Sequence, residues 1–165
     1  SKGVLFNQAD ASPPTDVVGG DVPGGTVWEY IISAYYVRSV AGNPPTLFRK
    51  RLIGNVWENP GEEVALGIER LHLQFGIDNN NDAVADFFVN SANVAAAWGT
   101  VVSVRLFLLV RSETSDPNYT NEKTYQLGNV AFGGVSVTPN DSFNRTLFDT
   151  SVSLRNRRLL IAGGF

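Results

Sequence analysis

The sequence predicts an α+β, β-rich domain built on antiparallel sheet, and three observations carry that expectation. First, Leu71, Leu73, Phe75 and Ile77 alternate with His72, Gln74 and Gly76. Period two is the mark of a strand with one buried face. Second, residues 101–111 (VVSVRLFLLVR) place Val102, Val104, Leu106, Leu108 and Val110 on one face, with Val101, Phe107 and Leu109 thickening the other. A run that is apolar on both faces reads as a central strand covered on both sides. Third, the strand-like runs are separated by short clusters of Gly, Pro, Asn and Asp, and no long amphipathic helix lies between them. A single sheet needs a cover for its apolar face. Either the sheet folds over on itself or a helix N-terminal to residue 1 is missing.

Bulk composition bounds the function. The chain has 165 residues, 43% hydrophobic and 18% charged, which suits one folded domain over 1–165. The net charge of −3 gives no footprint for a nucleic-acid backbone, so no nucleic-acid contact is expected. No cysteine is present, so disulfides, thiolate nucleophiles and cysteine zinc sites are excluded. Methionine is absent even at position 1, so the chain is expected to be a piece of a longer protein, with Ser1-Lys2-Gly3 the remnant of a tag or a cut. No apolar run reaches the length of a membrane-spanning helix.

Taken in order, residues 1–27 read as a loop-rich opening, with Val4-Leu5-Phe6 a short edge strand. Residues 28–40 (WEYIISAYYVRSV) are strand, Ala41-Gly42-Asn43-Pro44-Pro45 is a turn, and 46–53 (TLFRKRLI) is the second arm of a hairpin. Arg49, Lys50 and Arg51 on a strand point to alternate faces and read as solvated edge charges. Asn59-Pro60-Gly61 is a turn. Residues 62–69 read as a short helix, acidic in its first turn, with Val64 and Ile68 facing the core at i and i+4. Strand 70–77, a polar Asn/Asp loop and an ordered stretch 84–89 follow. Residues 92–97 read as one or two helical turns ending near Trp98-Gly99, ahead of strand 101–111. After a polar loop at 112–123 come a short segment at 124–127, a brief strand at 135–137, and a last strand at 146–154. That strand sets Phe148, Val152 and Leu154 on one face. Arg155, Arg157 and Arg158 precede an apolar tail at 159–165.

Catalytic signals are absent from this pattern. His72 is the only histidine and reads as a surface residue. No GxSxG, GxGxxG or GxxxxGK occurs, and the adjacent Glu62 and Glu63 diverge. One constellation has ligand spacing: Asp78, Asn80, Asp82 and Asp86 stand at positions 1, 3, 5 and 9 of a polar loop. Oxygens at those positions can surround a hard cation such as calcium. Position 6 is Ala83 and position 12 is Val89, which excludes a full EF-hand. A partial calcium loop and a metal-free Asx-turn both fit. Asn118-Tyr-Thr120 and Asn144-Arg-Thr146 match the glycosylation triplet, a frequent one. Tyr35, Tyr36, Trp57 and Trp98 read mostly as core aromatics, with an interface as the alternative.

Several stretches together resemble one family. They are Thr46-Leu-Phe-Arg49, Glu63-Val-Ala-Leu-Gly-Ile-Glu69, Leu71-His-Leu-Gln-Phe-Gly-Ile-Asp78 with the Asp/Asn loop, Trp98, VRLFLLVRS at 104–112, Tyr125-Gln-Leu-Gly128 and VSLRN at 152–156. Across roughly 46–156 the sequence is similar to the PilW family of type IV pilus minor pilins, and more distantly to the J-type minor pseudopilin of type II secretion. The resemblance implies a β-rich, pilin-like head whose long N-terminal helix is truncated here. Family members often carry a cysteine pair, which this chain lacks. It also implies a non-enzymatic role: a subunit of the tip or priming complex that initiates the pilus and supports adhesion, twitching motility and DNA uptake. The implied partners are other minor pilins and the major pilin. The implied location is the bacterial cell surface or periplasm, with the full-length protein anchored in the inner membrane before assembly. Loops 1–27 and 112–145 are the expected partner surfaces. A type II secretion pseudopilin and a calcium-dependent extracellular binding module stand as alternatives.

Overall fold

The computed structural model describes residues 16–17, 20–21, 31–53, 55–94 and 97–154. The expected edge strand at Val4-Leu5-Phe6, the start of the 28–40 run, the Arg155–Arg158 cluster and the apolar tail lie outside the described residues. β1 (Asp16–Val17) and β2 (Gly20–Asp21) form a small antiparallel ladder.

β3 (Ile32–Arg38) and β4 (Thr46–Ile53) are the expected hairpin, with Tyr36 opposite Phe48 and their rings stacked at 5.7 Å. β5 (Val56–Trp57) and β6 (Glu62–Leu66) both pair with β4 as well. Two expectations are corrected here. The stretch read as a short helix is strand, because β4 offers unpaired main-chain groups that β6 satisfies across a ladder with one bulge. Val64, 48% exposed, does not face the core, whereas Ile68, 7% exposed, does so from the next strand. Gly67, at φ 78°, then turns the chain from β6 into β7 (Ile68–Ile77). The basic cluster is also not on an edge, since β4 has neighbours on both sides. Arg49 ion-pairs with Glu62 and Arg51 with Glu58, while Lys50 lies over the Tyr36 ring at 5.6 Å.

The second sheet comprises β7, β8 (Phe87–Val89), β9 (Val101–Arg111) and β12 (Arg145–Ser153). Its order is β12-β9-β7-β8, antiparallel throughout. β9 is central, as its sequence predicts. Between β8 and β9 lie α1 (Ser91–Val94) and a 3₁₀ turn at Ala97–Thr100, matching the expected helical turns. Between β9 and β12, β10 (Tyr125–Leu127) pairs with β11 (Val135–Val137).

The core has two centres. Ile77, Val89, Val94 and Val101 gather at one end with Phe75 and Phe87. Phe107, Leu109, Tyr125 and Leu127 gather where β10 and β11 cover the sheet, with Val135, Val137 and Leu147 around them. Fully burying a side chain such as Leu109 or Leu127 stabilises by about 2 kcal/mol. The relative burial of the β9 faces differs from expectation. The face of Phe107 and Leu109 is the closed one, at 2% and 0% exposure, and that of Leu106 and Leu108 is only half-buried. Five apolar residues in alternation do not say which face the remote β10–β11 ribbon will cover. A bulge at Gly76/Ile77 also moves Val101 opposite Ile77.

Candidate functional site

The half-open face of the larger sheet is built in cross-strand rows. Leu71, Leu108 and Phe148 form one row, Leu73, Leu106 and Thr150 the next, and Phe75, Val104 and Val152 the third. Residues directly opposite in an antiparallel ladder share a face, so the nine make a continuous patch. None carries a charge. Leu73 is 39% exposed, Phe148 55%, Val152 56%, and Leu154 beyond them 44%. At the β8 end Trp98, half-exposed, meets the Phe75 ring edge-on at 5.0 Å. A contiguous uncharged apolar patch on a sheet is a place where another apolar surface gains by docking. Its chemistry is desolvation and dispersion, with no group suited to bond making.

The opposite face carries charge. Arg105 Nη2 donates to Asp149 Oδ2 at 2.6 Å and its guanidinium lies over the Phe107 ring at 5.0 Å. His72 lies opposite Phe107 on this face. Its Nε2 is buried without a hydrogen-bond partner, and burial pushes its pKa below the usual value. The surface reading of His72 is thus corrected, because the face opposite Leu71 and Leu73 is the one that is covered.

At the corner where β7, β9 and β12 meet, Arg145 is clamped by two carboxylates. Its Nε and Nη2 donate to Glu69 at 2.6 and 3.1 Å, and its Nη1 and Nη2 donate to Asp141 at 2.5 and 2.7 Å. Its side chain is 1% exposed. The hydrogen bonds it donates to Asp141, and then to Glu69, hold the guanidinium pKa far above its ordinary value, and Arg145 in turn holds Asp141 below the carboxylate range. Beside it Arg111 stacks over Phe143 at 4.0 Å, lining a cleft of about 470 Å³ with Glu69, Glu113 and the 39–45 turn. The sequence hides this clamp, since Glu69 reads as the end of a short helix and no local spacing joins it to Arg145.

The Asp/Asn loop is held by its own amides. Asp78, 2% exposed, accepts from the N–H of Asn81 at 2.6 Å and of Ala83 at 3.0 Å. Asp82 accepts from the N–H of Val84 and the amide of Asn80, Asn80 accepts from the N–H of Asp82, and Asp86 accepts from the N–H of Asn79 at 2.7 Å. Asn81 and Ala83 both have positive φ. The four expected residues thus share one loop, in an Asx-turn network. Among the described residues, no three His, Cys, Asp or Glu side chains gather as a metal cage. The aromatic expectation is corrected for Tyr35, Trp57 and Trp98, which are 52%, 42% and 52% exposed. Tyr35 stands on β3, Trp57 on the short β5 and Trp98 in the 3₁₀ turn, and the described residues leave each of them open to solvent. No helix among the described residues is long and apolar enough to cross a membrane.

No curated protein and no solved structure matches the chain. A family model described as PilW, type IV pilus-assembly protein W, matches residues 34–156.

Proposed function

The chain belongs to the PilW family of type IV pilus-assembly proteins, and from that premise we propose that it is the globular head of a minor pilin. Involvement in type IV pilus assembly, and with it interaction with other pilus components at the cell envelope, follows from the family. The finer reading is that this head sits in a tip or priming complex with other minor pilins and the major pilin, supporting adhesion, twitching motility and DNA uptake without catalysing a reaction.

The uncharged patch of Leu73, Leu106, Phe148 and Val152 is the observation that carries this reading. A sheet face of that size needs an apolar stripe against it, and a long amphipathic or membrane-inserted helix is the element that supplies one. A pilin-like head with its helix laid along this face is therefore the architecture the patch supports best. Helix contacts would then feed the subunit into a fibre, and head contacts would set the order of subunits.

The test is a calorimetric titration of this head against the other minor pilin heads of the same genome, with and without calcium, beside a piliation assay of the full-length Phe148→Asp variant. Stoichiometric binding to another head and loss of piliation in the variant are expected. A folded head that binds none of them, with normal piliation in the variant, overturns the reading. Binding that needs calcium would give the 78–86 loop a ligand role, the alternative being an extracellular calcium-dependent module. A chain that rescues a type II secretion strain rather than a pilus strain would be the related pseudopilin.

A further inference from the structure

We propose that β12 is a self-pairing edge, through which two copies of this chain join their sheets antiparallel about a two-fold axis at Thr150. At one end of the β9–β12 ladder Leu154 N–H donates to Val102 O at 2.8 Å, and at the other Ser112 N–H donates to Asn144 O at 2.9 Å. No register shift interrupts the ladder between them. Hydrogen-bonded pairs alternate along an antiparallel ladder, so the even-numbered residues turn their N–H and C=O toward β9. Leu147, Asp149, Ser151 and Ser153 therefore turn theirs outward. Among the described residues no strand lies beyond β12. The edge contains no proline or bulge and one carboxylate, Asp149, already paired with Arg105. It lacks most of the devices that keep edges from pairing.

Parity and side chains then select both occupant and register. Outward-facing residues must meet outward-facing residues, which centres a two-fold pairing on a whole residue. Centring on Asp149 would set that carboxylate against its own copy, a destabilising arrangement. Centring on Thr150 sets Asp149 opposite Ser151 and Leu147 opposite Ser153, each twice, giving about eight main-chain hydrogen bonds. On the open apolar face it sets Phe148 opposite Val152, again twice, with Thr150 opposite Thr150. Phe148 and Val152, the most exposed large apolar members of the patch's rows, would each gain an apolar cross-strand neighbour. The strand is thus complementary to itself, and the chain supplies its own partner. The pairing does not depend on the pilus reading.

Two variants test this while sparing the fold. Ser151→Pro removes an outward N–H that the β9 ladder does not use, a position where an edge strand accepts proline. Sedimentation equilibrium of the wild-type head is expected to show a monomer–dimer equilibrium, and Ser151→Pro to weaken it at least tenfold with the far-UV spectrum unchanged. The chain has no cysteine, so Thr150→Cys can form a disulfide only between copies. Mild oxidation is expected to trap at least tenfold more dimer for Thr150→Cys than for Thr146→Cys, which in this register faces Leu154. A wild-type head that stays monomeric at high concentration, a dimer that Ser151→Pro leaves intact, or equal trapping by the two cysteines would each overturn the proposal.

Discussion

Arg145 and Glu69 meet across 76 positions of sequence, through hydrogen bonds of 2.6 and 3.1 Å that tie the start of β12 to the start of β7. These two strands do not pair with each other; β9 lies between them. With Asp141 on its other side, the guanidinium closes the corner of the sheet.

Removing Arg145 leaves two carboxylates facing each other with no cation between them. Arg145→Ala is expected to cost about 2 kcal/mol in urea denaturation, below the range for a fully buried pair because Glu69 and Asp141 are 25% and 36% exposed. Arg145→Lys should recover only part, because an ammonium cannot bond both carboxylates in a planar fork. A loss below 1 kcal/mol for the alanine variant would show the clamp to be ornamental.

The same clamp sets the acid limb. Asp141 is held below its ordinary pKa by Arg145, so its contribution is complete above the unfolded value of about 4. It is lost as pH falls through the lower folded value. Asp141→Asn is expected to flatten the stability profile below pH 4 relative to wild type, measured as the urea midpoint at successive pH values.

His72 acts in a higher window. Burial lowers its pKa, so the folded state binds its proton less readily than the unfolded chain does. Above about pH 6.5 the residue has no pH-dependent effect. Below that pH the unfolded chain takes up the proton first and stability declines. His72→Phe should remove the decline between pH 7 and 5, and an unchanged slope in that variant would assign it to other groups.

Gly67 is fixed by conformation and space. A Cβ there would lie 2.7 Å from Arg111 O, at a φ of 78° that L side chains rarely adopt. Gly67→Ala is expected to cost about 1–3 kcal/mol. Thermal melts should show it as a lowered midpoint, with the Arg111 N–H to Gly67 O bond weakened in hydrogen exchange.

Asp78 supports its loop from within. Asp78→Ala strips acceptors from the N–H groups of Asn81 and Ala83, at about 1–3 kcal/mol for the unsatisfied groups. The effect should be equal in calcium and in chelator if the Asx-turn network is the whole role. A calcium-dependent rise in the wild-type melting point, lost in Asp78→Ala, would add a ligand role.

Much of the fold was legible because it rests on local period and local turns. The β3–β4 hairpin, β7, β9, the helical turns before β9 and the final strand all follow from alternation and Gly/Pro/Asn punctuation near each element. The 62–69 error has the same root. Eight residues with an acidic start suit a helix or a strand, and only the vacant edge of β4 decided between them. The Asp/Asn loop was identified from composition, but whether its carboxylates turn to amides or to a cation depends on backbone angles that spacing does not encode.

By itself, then, the sequence determined the β-rich class, the central place of β9, the absence of cysteine chemistry and the residues that resemble PilW. Its apolar alternation fixed which side chains share a face. The tertiary structure alone decided which face closes, because the β10–β11 ribbon arrives from beyond a polar loop and shields Phe107 and Leu109 rather than Leu106 and Leu108. It also decided where charge is buried, since Arg145, Glu69 and Asp141 meet only when β7, β9 and β12 align. Period is a property of neighbours along the chain, whereas cover and clamp are properties of segments distant in sequence, whose meeting depends on the whole fold.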